Sequence, residues 1–320
     1  MDIISPHGEY IDVRGPSSIP WMLGGTVLDL GNPGDSDDKS IESPTVIKLG
    51  NNSYVMWYRG QSYADKTGRI MRATSKDGLQ WTKTGVVMTP SEDYEGDKID
   101  PMTVIFENGV YRMWYGADYY GGCACYATSP DGIKWTRYEG NPVLRKTSGA
   151  WDNGGAGGQH SVIKDGKKYY MYYKGYGSQS PGWTFYGMAE SSDGIRWIKK
   201  GKILSPDPEV GDTLTFRNLN AFKLDNHYCI MFTMVEYLHL FLASSTNGKT
   251  WVKNGLVFAH GCTPNRYDEK WATSPSILVE GKVIRMWYEG GDPDGRVRTL
   301  YAAIYKEQFL KALKNVIRKP

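Results

Sequence analysis

The stretch Ala73-Thr74-Ser75-Lys76-Asp77-Gly78-Leu79-Gln80-Trp81 decides the architecture, because its core is written four times along the chain. Ser-x-[Asp/Asn]-Gly-x-x-Trp runs from Ser75 to Trp81, Ser129 to Trp135, Ser191 to Trp197 and Ser245 to Trp251. An Asp-Gly or Asn-Gly pair between two alternating runs is the strongest short hairpin signal, since both turn residues tolerate positive φ. Trp21 has no such turn before it but shares the downstream pattern. Each of the five tryptophans precedes a glycine (Gly25, Gly85, Gly140, Gly201, Gly255) and then a short apolar strand. They stand 60, 54, 62 and 54 residues apart, a repeat that has to be read before anything else.

A second strand recurs upstream of each turn: Tyr54-Val55-Met56-Trp57-Tyr58, Tyr111-Arg112-Met113-Trp114-Tyr115, Tyr169-Tyr170-Met171-Tyr172-Tyr173, Tyr228-Cys229-Ile230-Met231-Phe232 and Ile284-Arg285-Met286-Trp287-Tyr288. Before it lies another, as in Thr45-Val46-Ile47 and Ser276-Ile277-Leu278. Tight turns such as Asn108-Gly109 and Asp165-Gly166 join the pairs. Each unit is thus about four short antiparallel strands, and there are five units, which predicts a five-bladed β-propeller. The fifth unit ends after its third strand, Leu300 to Tyr305. The orphan strand Trp21 to Leu28 is therefore expected to complete the last blade and remove an open sheet edge. Phe309, Leu310, Leu313, Val316 and Ile317 then recur at helical spacing among Lys306, Lys311, Lys314 and Arg318, which predicts a basic amphipathic helix over about 306–318 docked on the propeller. One domain over 1–320 is expected, with the propeller over about 21–305.

Composition bounds the function classes. The chain has 320 residues, 13% of them aromatic, with 38 glycines and a net charge of +3. That near-balance of charge argues against a nucleic-acid partner. No apolar run spans a membrane. The N-terminus has no basic region followed by an apolar one, so no signal peptide is read. Four unevenly placed cysteines suit a reducing compartment, and a cytoplasmic location is expected. The Cys123/Cys125 pair lacks zinc spacing, and no dinucleotide or phosphate-loop fingerprint occurs, so no metal and no cofactor is expected.

In a four-stranded blade, one set of hairpins is tight here while the other face carries longer, irregular loops, holding Tyr63, Asp65, Asp118, Tyr119, Tyr120, Tyr176, Trp183, Asp292 and Asp294. Aromatics among carboxylates suit sugar rings, whose C–H faces stack while their hydroxyls hydrogen bond. Carboxylates that recur in every unit (Asp38, Asp97, Asp152, Asp212, Asp268) read as structural. Blade-specific residues at the channel mouth carry the information: Glu42, Asp100, Gly158, Arg217 and Thr273 fall at one ring position. Glu42 and Asp100 would have their pKa values pushed apart there, with Arg217 facing them. A buried ion network bracing the channel is the other reading of the same three.

The repeated Met-Trp-Tyr strands, the Ala-Thr-Ser-x-Asp-Gly-x-x-Trp hairpins and the Ile99-Asp100-Pro101 step resemble the five-bladed propeller superfamily of glycoside hydrolase families 32, 43, 62, 68, 117 and 130. The resemblance runs from about Trp21 to Tyr305. It implies a carboxylate base in blade one, matched by Glu42, and an Asp-Pro aspartate in blade two that tunes the acid, matched by Asp100. A blade-three Glu acid is implied as well, but the chain has Gly158-Gln159-His160-Ser161. His160 is the candidate replacement, since histidine can serve near neutral pH, and Glu236 or Glu289 are alternatives. The resemblance also allows a channel-bound calcium or other ion, with oxygens from Asp35-Ser36-Asp37-Asp38.

These readings converge on a glycoside hydrolase or glycan-processing enzyme acting on a small saccharide at the channel mouth, inverting if hydrolytic. Catalytic roles are expected for Glu42, Asp100 and His160, and substrate contacts for Arg217, Asn220, Tyr120, Trp183 and Glu289. A non-catalytic carbohydrate-binding propeller, and a propeller recruited to another small-molecule reaction, stand beside it.

Overall fold

The structure, a computed structural model, describes residues 19–117, 122–178, 183–206, 215–235, 237–261 and 267–316. Among them lie twenty strands and one α-helix of more than a single turn, in chain order. The strands are β1 (Met22–Leu28), then β2 (Ser40–Lys48), β3 (Tyr54–Gln61), β4 (Gly68–Ser75) and β5 (Trp81–Met88). Next come β6 (Ile99–Glu107), β7 (Val110–Ala117), β8 (Cys123–Ser129) and β9 (Thr136–Arg137). They are followed by β10 (Gly155–Asp165), β11 (Lys168–Tyr176), β12 (Phe185–Ser191) and β13 (Ile198–Leu204). Then come β14 (Phe216–Leu224), β15 (His227–Met234), β16 (Leu240–Ser245) and β17 (Val252–Phe258). The last are β18 (Trp271–Glu280), β19 (Val283–Gly291) and β20 (Val297–Tyr305), before helix α1 (Lys306–Val316).

Three sheets are four-stranded antiparallel meanders, β6 to β9, β10 to β13 and β14 to β17. The remaining sheet joins β2–β5 to β18–β20 through a single parallel bridge, Ser40 to Val297. β1 pairs antiparallel with β20 and so stands as the fourth strand beside β18, β19 and β20. This nearly all-β arrangement is that of a β-propeller. β1 carries the mark of an outer strand. Gly25, Gly85, Gly201 and Gly255 all have positive φ (71°, 100°, 101°, 90°) and each sits at a register slip against its neighbour strand. These four glycines are β-bulge residues, which increase the local twist, whereas Gly140 after Trp135 is not among them.

The two repeated motifs lock to each other. Within a turn, the Ser75 hydroxyl accepts the Gly78 N–H at 2.8 Å, and the Asp77 carboxylate accepts the N–H groups of Leu79 and Gln80 at 2.8 Å. Between units, the second-strand aromatic donates to the turn glycine of the next unit. Trp57 Nε1 reaches the Gly132 carbonyl at 3.0 Å, Trp114 reaches Gly194 at 2.7 Å, and Trp287 reaches Gly78 at 2.8 Å. The Tyr172 hydroxyl reaches Gly248 at 3.3 Å. Phe232 holds the same place on β15, where no donor is needed because β18–β20 lack the turn; Trp21 of β1 instead donates to the Val257 carbonyl at 2.9 Å. Trp57, Trp114 and Trp287 are fully buried, so an unmatched indole N–H would be costly there.

Facing inner strands are stapled by one side chain each. The Val46 N–H donates to Ser276 Oγ (3.0 Å), Val162 to Thr103 Oγ1 (3.1 Å), Ala221 to Ser161 Oγ (3.0 Å) and Ile277 to Asn220 Oδ1 (3.2 Å). A buried acid braces the second tyrosine of the Met-x-Tyr strands: Asp37 for Tyr58, Glu95 for Tyr115, Asp152 for Tyr173 and Asp268 for Tyr288. Outer-strand cations Lys83, Arg137 and Lys199 complete three of these sites. The acids that brace these tyrosines in the first two units are Asp37 and Glu95, while Asp38 has the structural role expected of it, holding backbone N–H groups. Asp38 accepts the N–H groups of Gly34 (2.8 Å) and Tyr63 (2.9 Å). Asp212 lies outside the described residues. Phe309 of α1 is buried and meets Trp21 edge-on at 5.9 Å, which docks the helix on the β1 end of the sheet.

Candidate functional site

The inner strands β2, β6, β10, β14 and β18 all break register at one level. The slips fall between Glu42 and Thr45, Pro101 and Thr103, Ala156 and His160, Arg217 and Leu219, and Thr273 and Ser276. Ser43, Asn218 and Ser274 at the slips take φ of 52°, 42° and 48°. Left-handed backbone at a non-glycine residue costs on the order of 1–3 kcal/mol and concentrates at functional sites. A bulge re-aims side chains, and here it turns them to one cavity of about 400 Å³.

Three carboxylates line that cavity: Glu42, Asp100 and Glu289. Arg59, opposite Glu42 in the β2–β3 ladder, lies between the first two. Its Nη1 is 2.8 Å from both Asp100 oxygens, and its Nη2 pairs with Glu42 Oε2. Ser40 Oγ donates to Glu42 at 2.7 Å, and Ser43 Oγ donates to Asp100 at 2.9 Å. Burial would raise the Glu42 pKa, but the Arg59 charge and these hydrogen bonds overcome it and hold the carboxyl below its ordinary 4.5. Glu289, on β19 opposite Thr273, is different. It accepts the Ser43 backbone N–H and the Thr273 hydroxyl (2.8 Å), yet burial, and then the charge of Glu42, push it up to about 7. One cavity therefore holds an ionised carboxylate and another half-protonated near neutrality.

A hydrogen-bonded chain continues around the rim. Asn218 donates to Ser274 Oγ at 2.6 Å, and its backbone N–H donates to Gln159 Oε1 at 3.2 Å. Lys98, Lys174, Arg217, Tyr176 and Trp183 complete the charged and aromatic lining. Lys174 is pushed down to about 8 by burial and by the like charge of Arg217.

Of the residues singled out from sequence, Glu42, Asp100, Arg217, Glu289 and Trp183 meet in this cavity. Two stand elsewhere. His160 is completely buried in β10, outside the cavity lining, with Nδ1 2.6 Å from the Gly157 carbonyl. Burial pushes its pKa down to about 4, so the ring is neutral at pH 7. Asn220 is the inter-strand staple to Ile277 and does not line the cavity. Tyr120, Glu236 and Cys262 lie outside the described residues. Sequence reading passed over Arg59 and Lys174. Both come after the paired aromatics of a second strand, where the units read Arg59, Gly116, Lys174, Thr233 and Glu289, and that variation was the available signal.

The residues named for an ion are engaged with the protein around them. Asp35 Oδ2 accepts the Asn32 N–H at 2.8 Å, and Asp37 is held by Tyr58 and Lys83. Among the described residues no cluster of three or more His, Cys, Asp or Glu is placed to hold a metal. Cys123 and Cys125 are buried, with their sulfurs 3.9 Å apart. No helix among the described residues is long and apolar enough to cross a membrane.

Comparison with known proteins agrees with the propeller fold. Residues 35–154 match the model of the glycosyl hydrolases family 32 N-terminal domain. An uncharacterised protein of Mycobacterium tuberculosis is 27% identical over 158 residues, covering 42% of this chain and 52% of the relative. A 1,2-beta-oligomannan phosphorylase of Thermoanaerobacter sp. is 27% identical over 175 residues, covering 51% of this chain and 54% of the relative. The chain thus spans about half the length of the curated relatives it matches. The solved beta-1,2-mannobiose phosphorylase from Listeria innocua, in complex with beta-1,2-mannobiose, superposes with a TM-score of 0.70 at 14% identity, over 91% of this chain and 97% of that one. The family 32 match over residues 35–154 and the propeller fold shared with the solved phosphorylase make the chain similar to the β-propeller glycoside hydrolases.

Proposed function

We propose that the chain is a single-domain, five-bladed propeller enzyme that cleaves a glycosidic bond of a small saccharide in the Glu42–Asp100–Glu289 cavity. One observation carries this reading: carboxyl groups with pKa values pushed apart line the same cavity, Glu42 held below its ordinary 4.5 by Arg59 and Glu289 pushed up to about 7. Separated pKa values are what an acid–base pair requires. Glu289 then protonates the leaving oxygen, the task that the resemblance gives to a blade-three glutamate where this chain has Gln159. His160 suits that task less, being neutral and outside the lining. Glu42 activates the incoming water, which makes the reaction inverting. Asp100, fixed by Arg59 and Ser43, positions the sugar, while Trp183 offers a face for its ring. The buried free thiols of Cys123, Cys125 and Cys229 suit a reducing compartment, and the cytoplasm is the location we assign.

The phosphorylases among the similar proteins support sugar-cleaving chemistry and raise phosphate as the acceptor in place of water. A turnover screen settles both. Wild type and Asp100→Asn are assayed on aryl glycosides and short oligosaccharides, with and without inorganic phosphate, and the product anomer is read by NMR. Cleavage by wild type alone, releasing free sugar of inverted configuration, is expected. A sugar 1-phosphate as product would replace water by phosphate, and equal activity in both proteins would remove the site from this cavity.

A further inference from the structure

Four cationic side chains line the cavity (Arg59, Lys98, Lys174, Arg217) against three carboxylates (Glu42, Asp100, Glu289). Arg59 is committed to Glu42 and Asp100, and the charge of Lys98 bears on Glu42. That leaves the Lys174–Arg217 side. Three other partly buried lysines of this fold face a carboxylate: Lys83 pairs with Asp37, Lys164 with Glu107, and Lys199 with Asp152. Lys174 breaks the pattern. The charge that bears on it is Arg217, another cation, and among the described residues neither forms an ion pair with a carboxylate. Their placement is built rather than incidental. Lys174 stands on β11 against the bulge of β10, at the position that Arg59 takes on β3 and Glu289 on β19. Arg217 stands on β14 opposite Thr233, at the same slip that lets Asn218 reach Gln159.

Converging two like charges on a half-buried cavity is unfavourable unless a counter-charge arrives. We propose that the Lys174–Arg217 side is a subsite for an oxyanion carried by the saccharide itself, so that the substrate is an acidic sugar bearing a carboxylate or a phosphate ester. The saccharide half of this inference rests on the function proposed above; the oxyanion half does not. An ammonium and a guanidinium together suit one oxyanion, the guanidinium by its fixed fork of donors and the ammonium as a point charge. The depressed pKa of Lys174 fits the same picture, since an anion beside it would raise the value.

The test is equilibrium binding by calorimetry at pH 7 in low-chloride buffer. The probes are glucuronate, galacturonate, glucose 6-phosphate and mannose 6-phosphate, with glucose, galactose, mannose and inorganic phosphate as counterparts. At least one acidic sugar is expected to bind tenfold or more tightly than its neutral counterpart and than inorganic phosphate. Lys174→Met and Arg217→Gln are each expected to cut that preference to threefold or less, and Lys174→Arg to retain it. Unfolding curves confirm that the variants fold, and Arg217→Gln, at an exposed side chain, carries the test alone should Lys174→Met not fold. No preference for any acidic probe, or a preference untouched in the variants, would overturn the subsite. Inorganic phosphate binding as tightly as every sugar acid would overturn the assignment of the anion to the substrate. Turnover and binding measured on wild type separate the two proposals: anion preference in a wild type that cleaves no glycoside defeats only the enzymatic reading, and turnover of neutral glycosides without anion preference defeats only this one.

Discussion

Arg59 Nη1 lies 2.8 Å from each carboxylate oxygen of Asp100, the two side chains coming from different sheets. The other guanidinium nitrogen reaches Glu42, so one cation holds two carboxylates in a cavity wall. Removing it takes the shared guanidinium from both. Arg59→Met is expected to lower the unfolding free energy by about 3 kcal/mol at pH 7. The loss should shrink as the pH falls, because Glu42, no longer held ionised by Arg59, takes up a proton more readily. Arg59→Lys should recover only part, lacking the guanidinium fork. Urea denaturation at pH 7 and at lower pH measures this.

Glu289 gives a second expectation, with the opposite sign from an ordinary ion-paired acid. Its folded pKa of about 7 lies above the ordinary 4.5, so the folded state binds the extra proton. Stability linked to it is fully present below pH 4.5 and is lost as the pH rises through 7. Glu289→Gln removes that titration. Wild type should therefore lose stability relative to Glu289→Gln between pH 5 and 8, by on the order of 2–3 kcal/mol. Parallel curves for the two proteins would contradict the assignment.

The lock between Trp57 and Gly132 makes a third. Gly132 has φ of 73°, and a Cβ there would stand 2.9 Å from Trp57 Cζ2. Gly34 has φ of 97° but open space around its Cβ position. Gly132→Ala should thus cost more than Gly34→Ala, about 2 kcal/mol or more against about 1. Trp57→Phe keeps the ring but strands the Gly132 carbonyl, for about 1–2 kcal/mol. Thermal unfolding of the three variants orders them.

Much of the fold was legible because its signals are local and repeated. The Ser-x-Asp-Gly-x-x-Trp turn satisfies its own backbone groups, so it reads the same in each unit. The pairing of β1 with β20 came from counting strands, and its Gly25 bulge is the same device as Gly85. The site was legible where a residue broke the repeat in the first strand, as Glu42, Asp100 and Arg217 do. It was less so where register decides. Alternation along β10 is interrupted between Ala156 and His160, so His160 falls away from the cavity that Gln159 lines. A one-residue slip exchanges the two faces of a strand. Asn220 is a staple because its place on β14 matches Ser161 and Ser276, a correspondence that needs the cross-strand hydrogen bonds. Arg59 and Lys174 sit in otherwise aromatic, buried runs, where a lone cation reads as the end of a core strand.

Trp21 tests the closing strand. Its ring is buried, donates to Val257, and packs edge-on against Phe258 at 6.0 Å and Phe309 at 5.9 Å. Trp21→Ala should cost about 3–5 kcal/mol. It should also loosen α1, seen as faster amide exchange in Lys306–Leu313 than in β7.

The most direct measurement is the pH dependence of kcat/KM for wild type and Glu289→Gln on whichever glycoside the turnover screen identifies. The profile reports the free enzyme's acid and base. Wild type is expected to lose activity above about pH 7, as Glu289 gives up its proton, and to hold it down to below pH 4.5, where Glu42 is still ionised. Glu289→Gln is expected to be slower by about 100-fold or more with the alkaline limb gone. An alkaline limb unchanged in Glu289→Gln, at comparable rate, would contradict the acid role of Glu289 and with it the proposed mechanism.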